Sequence, residues 1–312
     1  MLRNALLYLS SQPQVFNFVR HNRMAQGFAN RFVAGESLDT ALAAVKQLNS
    51  RGITATLDLL GESVHNEAEA RASARAYLEM LDRIKSDKLN ANVSLKLTAM
   101  GLDISEDLCV SNMQNILDRA RDYESFVRLD MEGSDYTQKT LELFYERLYP
   151  SYRGNVGIVL QSYLYRTYSD VMDANKATAR VRLCKGAYKE PATVAYPEKK
   201  DVDDSYLRCM RSLLTEGHYP GIATHDEAIV TATKRFAREN DVKNDQFEFQ
   251  MLYGVRRDLQ EKLVREGFRM RVYVPFGTQW YPYLMRRLAE RPANVAFITG
   301  NIVKEMVGRN RH

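Results

Sequence analysis

The sequence predicts an α/β fold, a TIM-like (β/α)8 barrel with extra helices at its N-terminus, and three observations lead to that class. Strand-like runs alternate eight times with helical segments, at a spacing of about 30 to 40 residues. A polar residue ends or follows almost every strand-like run, where barrel enzymes carry their active sites. The glycine-rich patterns GxGxxG and GxxxxGK[ST], which mark doubly wound nucleotide-binding sheets, are absent from the sequence.

The chain divides into residues 1–50, predicted as N-terminal helices packed on the barrel, and residues 51–312, the barrel itself, in one structural domain. Ser37 is a plausible N-cap for a helix over 37–49, which ends before Gly52. Runs rich in aliphatic and β-branched residues predict strands at 53–60, 92–97, 126–129, 156–160, 179–184, 221–224, 246–250 and 269–274. Amphipathic spacing predicts helices at 66–85, 111–121, 136–148, 168–176, 204–215, 227–239, 255–266, 279–290 and 301–307.

Composition is that of an ordinary globular enzyme, because 45% of the 312 residues are hydrophobic and 27% are charged. The net charge of +5 is spread along the chain without a long basic run, so we expect no nucleic-acid partner. The three cysteines, Cys109, Cys184 and Cys209, have no CxxC spacing. This usage fits a reducing compartment and predicts no metal site.

The N-terminal segment is basic and has two interpretations. Four arginines precede the first acidic residue, Glu36: Arg3, Arg20, Arg23 and Arg31. A membrane-surface or organelle-targeting segment has this profile, whereas the plainer interpretation is a pair of helices packed on the domain, which we adopt. No apolar run approaches the roughly 18 residues that a membrane span needs.

The predicted strand ends bring together polar side chains that could form a site: Asp58, Lys96, Asp130, Gln161, Arg182 with Lys185, His225, Gln250 and Tyr273. Loops are polar in any protein, so some of these are expected by chance. Lys96 and Arg182 carry more information because both fall inside otherwise apolar predicted strands. A charge there is costly unless it is paired or contacts a ligand.

The stretch 271–291 predicts a strand, a Pro-Phe-Gly turn and an amphipathic helix. One side of this helix is apolar, and the other carries Tyr283, Arg286, Arg287 and Glu290. Two adjacent guanidinium groups suit a carboxylate ligand, since arginine offers a planar fork of donors that stays charged. A solvated helix face is the alternative interpretation.

From Arg31 to Phe297 the chain resembles the proline dehydrogenase family, whose fold is a distorted (β/α)8 barrel. The similar motifs occur in the family's order, one for each strand end: DLLGE at 58–62, SLKLT at 94–98, LDME at 129–132, VLQSYL at 159–164, RLCKGAY at 182–188, ATHD at 223–226, FEFQMLYG at 247–254, and YVPFG with YLMRRLAE near the C-terminus. Each motif is weak alone, and their joint occurrence is specific.

The resemblance implies a role for each of these residues. Arg182 and Asp130 would be catalytic, and Arg286, Arg287 and Lys96 would hold a proline carboxylate. The pyrrolidine ring would pack against Tyr273, Tyr283 and Leu252. The implied contacts to FAD are Asp130, Met131, Gln161, Arg182, Lys185, Gly186, Ala187, Tyr188, Thr224 and His225. Supporting ion pairs would come from Asp58, Glu62 and Glu290.

The implied reaction is the oxidation of L-proline to Δ1-pyrroline-5-carboxylate, the first step of proline catabolism, with hydride transfer from proline C5 to N5 of FAD. A quinone would accept the electrons, which implies a cytoplasmic protein that visits the inner membrane peripherally. The sequence shows no aldehyde-dehydrogenase or DNA-binding region, so we expect a monofunctional enzyme that releases its product to a separate pyrroline-5-carboxylate dehydrogenase. Two other classes remain open: a barrel lyase or aldolase with a Schiff base on Lys96, and an amino-acid-binding module.

Overall fold

Eight parallel strands close into a barrel in sequence order, which confirms the predicted fold class. The computed structural model describes residues 29–61 and 64–290, apart from the side chains of 286–290. The strands are β1 Thr54–Leu59, β2 Ala91–Leu95, β3 Val127–Leu129, β4 Val156–Gln161, β5 Arg180–Cys184, β6 Gly221–Ala223, β7 Glu248–Leu252 and β8 Met270–Phe276. The first and last strands pair in parallel from Thr54 beside Arg271 to Leu59 beside Phe276, and this pairing closes the cylinder.

Helices follow the strands along the chain, and serine or asparagine side chains begin several of them. The helices are α1 Leu38–Asn49, α2 Glu67–Ser86, α3 Glu106–Asp122, α4 Ser134–Glu142, α5 Tyr149–Tyr152, α6 Thr167–Lys176, α7 Lys199–Glu216, α8 Glu227–Glu239, α9 Arg257–Arg265 and α10 Trp280–Glu290. Ser37, Asn66 and Ser105 each accept a hydrogen bond from a backbone N–H in the first turn of the helix that follows. The cap predicted at Ser37 is therefore confirmed.

Several predicted boundaries are wrong, and local contacts explain the differences. Helix α3 begins five residues earlier than predicted because Ser105 caps it. Helix α7 also begins earlier, where Lys200 pairs with Asp204 one turn ahead at 2.7 Å. The predicted helix over 136–148 is α4 followed by a π-helical segment, Leu143–Leu148. The helix predicted at 301–307 lies outside the described residues.

Side chains alternate along the strands between the helices and the barrel interior. Ala55 and Leu57 of β1 belong to the hydrophobic core that also contains the buried side chains of the helices. Thr56 and Asp58, which alternate with them, are equally buried and polar. Because successive residues of a strand point to opposite faces, the apolar core surrounds the barrel and the interior is polar.

Gly157 of β4 provides room for a charged side chain inside the barrel. A Cβ atom added there would lie 2.4 Å from the Arg180 carbonyl oxygen and 2.7 Å from Arg128 Nη1. Arg128 is buried, and this same Nη1 donates to the carbonyls of Ile158, at 3.1 Å, and Arg180, at 2.6 Å. The glycine therefore allows the buried guanidinium to reach backbone acceptors.

We expect Gly157→Ala to lower the free energy of unfolding by about 1–3 kcal/mol, because the added methyl group overpacks the barrel. Urea denaturation measures this, with Gly154→Ala as the control, since a Cβ at Gly154 meets nothing within 4 Å. Equal stability of the two variants would contradict the close approach at Gly157.

Helix α1 packs on the same hydrophobic core as the barrel through Leu42 and Val45. Its N-terminal neighbours, residues 1–28, lie outside the described part of the chain, so the division into N-terminal helices and barrel stays a prediction. Among the residues with a described structure, no helix combines the length and apolar character required to cross a bilayer.

Candidate active site

Asp130, directly after β3, is the centre of a hydrogen-bonded cluster at the carboxyl ends of the strands. Its Oδ1 accepts from Ser94 Oγ at 2.6 Å and from Arg182 Nη1 at 2.7 Å. Its Oδ2 accepts from the hydroxyl of Tyr273 at 2.7 Å. Three strands, β2, β5 and β8, thus contribute donors to one carboxylate, and the structure brings together the two residues predicted as catalytic.

Arg182 is held in one orientation by contacts on two of its nitrogens. Its Nε donates to Gln250 Oε1 at 2.6 Å, and its Nη1 contacts Asp130 as well as Ser94 Oγ at 3.3 Å. Its guanidinium carbon lies 5.2 Å from the centre of the Tyr273 ring. Within the described part of the chain Nη2 has no hydrogen-bond partner, so one edge of the guanidinium can donate to a ligand.

Lys96 lies just beyond the end of β2, so its predicted place inside the strand is wrong. The side chain is nevertheless 90% buried, and its Nζ lies 3.9 Å from Asp58 Oδ1. Asp58 also accepts from the hydroxyl of Tyr77 at 3.4 Å. Burial, and secondarily the charge on Asp58, hold the pKa of Tyr77 well above its ordinary value, so this phenol is a neutral donor. The supporting role predicted for Asp58 is thus compatible with its contacts.

The end of β4 is joined to the loop after β3. Gln161 Nε2 donates to the backbone carbonyl of Glu132 at 2.8 Å, and both residues are buried. Glu132 Oε2 accepts from Thr98 Oγ1 at 2.8 Å. Met131, which precedes Glu132 in the chain, is 6% exposed. These contacts fix the backbone on either side of the predicted cofactor residues Met131 and Gln161.

Lys185, after β5, lies between two carboxylates. Its Nζ is 2.5 Å from Asp203 Oδ1 and 2.9 Å from Asp226 Oδ2. Asp226 also caps helix α8 by accepting from the backbone N–H of Ala228 at 3.0 Å. Burial would raise the pKa of Asp226, but the hydrogen bond and charge of Lys185 outweigh it, and the pKa is lower than usual. Lys185 therefore joins the end of β5 to the helices α7 and α8.

Thr224 and His225 follow β6 at the same end of the barrel. The backbone N–H of Leu252 donates to His225 Nε2 at 2.9 Å, which makes Nε2 an acceptor. Leu252 pairs with Tyr273 in the ladder between β7 and β8. The predicted cofactor residue His225 and the predicted substrate residues Leu252 and Tyr273 are consequently neighbours.

The loop after β5, which carries Gly186, Ala187 and Tyr188, is tied across the barrel mouth by Glu190. Glu190 Oε1 accepts from the backbone N–H of Ser134 at 2.8 Å and from the Tyr163 hydroxyl at 3.3 Å. Gly186 has φ +117°, and a Cβ there would lie 2.5 Å from the Tyr163 ring. The loop therefore needs glycine at this position.

Some predicted site residues are not located by the structure. Glu62 and the side chains of Arg286, Arg287 and Glu290 lie outside the described residues, so the carboxylate clamp stays a prediction. The sequence pattern predicts Tyr283 on the polar side of its helix, and this is wrong, because its side chain is only 7% exposed.

Sequence reasoning missed Ser94, Glu190, Asp203 and Asp226 as residues of the site, and also Glu248, whose Oε1 accepts from Gln250 Nε2 at 2.6 Å. Ser94 is two residues before Lys96 and Glu248 two before Gln250, and strand alternation puts such pairs on one face, so this spacing was a usable signal. Glu190 and Asp226 contact partners that are distant in the sequence, and no local pattern indicates those partners.

A closed parallel barrel with a buried, charged cluster at its carboxyl-terminal strand ends defines a barrel enzyme with a small-molecule site. The proline dehydrogenase family model matches residues 41–300, and the chain belongs to that family, which makes it an oxidoreductase. Among the described residues no group of three metal-ligating side chains occurs.

Relatives over the whole length support this assignment. The chain is 44% identical to proline dehydrogenase 2 of Bacillus subtilis strain 168 over 305 residues, which covers 97% of this chain and 99% of the relative. It is 41% identical to the proline dehydrogenase of Deinococcus radiodurans over 307 residues, or 97% and 98% of the two chains. These comparisons give no support to the lyase and binding-module alternatives.

A solved structure shares the fold. Proline utilization A from Bdellovibrio bacteriovorus, inactivated by N-propargylglycine, superposes with a TM-score of 0.81 at 29% identity. The match covers 89% of this chain and 34% of that one, so this chain spans about a third of the larger protein.

Proposed function

We propose that this chain oxidises L-proline to Δ1-pyrroline-5-carboxylate with FAD as its cofactor, the first step of proline catabolism. The observation that carries the proposal is the cluster of Asp130, Arg182 and Tyr273 at the barrel mouth. This cluster holds the buried guanidinium of Arg182 in place and leaves one edge of that guanidinium to donate to a ligand. Family membership supports the substrate and the cofactor.

The residues at the barrel mouth fit FAD. The free edge of Arg182 and the amide of Gln161 offer donors for the polar edge of a flavin ring. Lys185 would add a hydrogen-bond donor, while Asp203 and Asp226 balance its charge. Gly186 brings backbone close to the site without a side chain. Bound there, FAD would accept the hydride from proline C5 at its N5 atom. Met131, Ala187, Tyr188, Thr224 and His225 would complete its contacts.

For the substrate, we propose that Lys96, Arg286 and Arg287 bind the carboxylate and that Leu252, Tyr273 and Tyr283 enclose the ring. Lys96 is largely desolvated, so its attraction for a second carboxylate is screened less than at the surface. Orientation of the substrate and exclusion of water would supply much of the rate.

The decisive experiment is an anaerobic titration of the purified protein with L-proline, followed in the visible spectrum. We expect a bound flavin whose absorbance near about 450 nm is bleached by proline. A protein that stays colourless after incubation with FAD, or a flavin that proline does not reduce, would overturn the proposal. The same titration of Arg286→Met and Arg287→Met, with weaker proline binding expected, tests the carboxylate clamp.

We predict that kcat/KM for proline rises with pH through the alkaline range, because the amine must lose its proton before hydride leaves C5. Tyr273 does not contribute to this rise: desolvation and the charges of Asp130 and Asp58 hold its pKa well above its ordinary value. It thus keeps the proton that it donates to Asp130. A pH–rate profile for the parent and Tyr273→Phe tests this, and a flat profile for the parent between about pH 6 and 9 contradicts it.

We propose that a quinone takes up the electrons, that the chain works in the cytoplasm with peripheral contact to the inner membrane, and that a separate pyrroline-5-carboxylate dehydrogenase consumes the product. A relative that the chain matches over 99% of its length is named for proline dehydrogenase, which supports the proposed substrate. Reduction of a soluble quinone by proline and enzyme, compared with reduction of oxygen, tests the acceptor. Co-sedimentation with anionic vesicles tests the contact with lipid.

A further inference from the structure

We propose that Glu248, at the start of β7 and deep in the barrel, is a positioning residue that fixes the orientation of Arg182 through the side chain of Gln250. The inference rests on the proposed function, since it concerns the geometry of the same site. It begins with a chain of short contacts through the barrel interior, from Arg271 to Glu248, Gln250, Arg182 and Asp130. Each of its four links is between 2.6 and 2.7 Å long.

Glu248 is a buried carboxylate that is held in its charged form. Its Oε1 accepts from Arg271 Nε at 2.6 Å, and its Oε2 accepts from the Tyr219 hydroxyl at 3.2 Å. Burial alone would raise the pKa of Glu248, but the charge and hydrogen bond of Arg271, with Arg128 nearby, outweigh it and hold the pKa below its ordinary value. The carboxylate is therefore ionised and can only accept hydrogen bonds.

An acceptor on one side of Gln250 determines which way its amide faces. Gln250 Nε2 donates to Glu248 Oε1 at 2.6 Å, so its Oε1 must face the other way, toward Arg182 Nε. A flipped amide would place two acceptors together at Glu248 and two donors together at Arg182. Both clashes would be buried, since Gln250 is 4% exposed and Arg182 is 6% exposed.

The amide orientation in turn positions the guanidinium. With Nε bound to Gln250 and Nη1 bound to Asp130, Arg182 cannot rotate without breaking two buried hydrogen bonds. Its Nη2 edge is consequently directed to one place, where we propose that it meets FAD. Glu248 touches neither FAD nor proline in this arrangement and acts only through Gln250.

Arg271 allows this charge to exist so far inside the barrel. Its Nη1 donates to the Ala55 carbonyl and to Asn92 Oδ1, both at 2.8 Å, while its Nε neutralises Glu248. Glu248→Gln alone would leave Arg271 without its partner anion, and this variant can fail to fold for that reason. The double change Glu248→Gln with Arg271→Met removes one negative and one positive charge, so the net charge of the barrel interior stays the same. It still replaces the Glu248 carboxylate, which can only accept hydrogen bonds, by an amide that can also donate.

The test is a double-mutant cycle. Its two arms are the neutral pair variant (Glu248→Gln with Arg271→Met) and Gln250→Met, and the third protein combines them. For each protein we measure kcat/KM with proline, and the Kd of FAD by fluorescence titration of FAD-free protein. We expect each of the two variants to lower kcat/KM about tenfold and to raise the Kd of FAD several-fold. The combined variant should lose no more kcat/KM than the poorer of the two, because both act through the same contact. Asn175→Ala is the control, because it removes buried hydrogen bonds between α6 and α7, outside the barrel.

Three results would overturn the inference. The first is that the effects of the two arms on kcat/KM multiply in the combined variant. The second is that the neutral pair variant changes only its Tm, as we expect for Asn175→Ala. Alternatively, the parent protein binds no FAD, which overturns the proposed function and the inference with it. If the parent protein binds FAD and is reduced by proline, but the effects of the two arms multiply, only the role of Glu248 is refuted and the proposed function stands.

Discussion

Replacing Arg182 by methionine is expected to lower kcat/KM for L-proline by about three orders of magnitude, the upper end of the loss seen when a preorganised donor is removed from a reacting centre. Arg182 is a buried cation at the centre of the site, and it contacts Asp130 at 2.7 Å and Gln250 at 2.6 Å. Steady-state kinetics at saturating FAD measures the loss, so that weaker FAD binding does not account for it.

The fold should survive this change. Asp130 keeps the donors Ser94 and Tyr273, while Gln250 Oε1 loses its partner, at a cost of about 1–3 kcal/mol that urea denaturation can measure. Arg208→Met is the control, because that guanidinium stacks 3.6 Å from the Tyr168 ring on the outside of the barrel. Arg182→Lys should recover little activity, since lysine has no planar fork to satisfy both partners. An Arg182→Met enzyme with near-parental kcat/KM would refute the assigned role.

The second large effect is expected at Gly186. Gly186→Val would put a branched side chain at φ +117°, with its Cβ 2.5 Å from Tyr163 ring carbons. The backbone strain costs about 1–3 kcal/mol. The ring cannot easily move away, because it is 8% exposed and its hydroxyl bonds to Glu190 at 3.3 Å. We therefore expect the loop after β5 to shift and the Kd for FAD to rise about a hundredfold, which corresponds to roughly 2.7 kcal/mol.

Equilibrium titration of FAD-free protein with FAD measures this Kd, and the Tm of the FAD-free protein shows whether the barrel stays intact. Gly154→Val is the matched control, since a Cβ at Gly154 meets no atom within 4 Å. If Gly186→Val binds FAD as tightly as Gly154→Val does, the loop does not take part in cofactor binding.

The barrel and most strand ends were predictable because they depend on local patterns. Runs rich in aliphatic and β-branched residues identified β1 and β5, and Arg182 lies inside β5 as predicted. The prediction for β7 began two residues early because Gln246 looks like part of the strand. Its side chain instead accepts from the Lys243 backbone N–H at 2.7 Å and forms a turn. Competition between a side chain and the strand ladder for backbone groups is not visible in periodicity.

The parts of the site that sequence reasoning missed depend on tertiary contacts. The sequence indicated Lys185 as a site residue but not its carboxylate partners Asp203 and Asp226, which come from two other elements. Lys96 was expected in β2 but lies beyond it, because the ladder from β2 to β3 ends at Leu95 beside Leu129. Which charged side chains pair at the barrel mouth depends on which strand ends become neighbours in the fold, and the local sequence does not show this.

The long-range cap on α4 has a consequence for the order of folding. The residue before this helix, Gly133, has no side chain to accept from its first turn, and Glu190 supplies that acceptor from 56 residues further along the chain. The hydrogen bond on the first turn of α4 can therefore form only once the loop after β5 lies beside this helix. Loop-closure entropy must be overcome before that contact forms, so the contact belongs to a late stage of folding. In pulse-labelling hydrogen exchange, the Ser134 amide should gain protection together with this loop and later than the amides in the middle of α4.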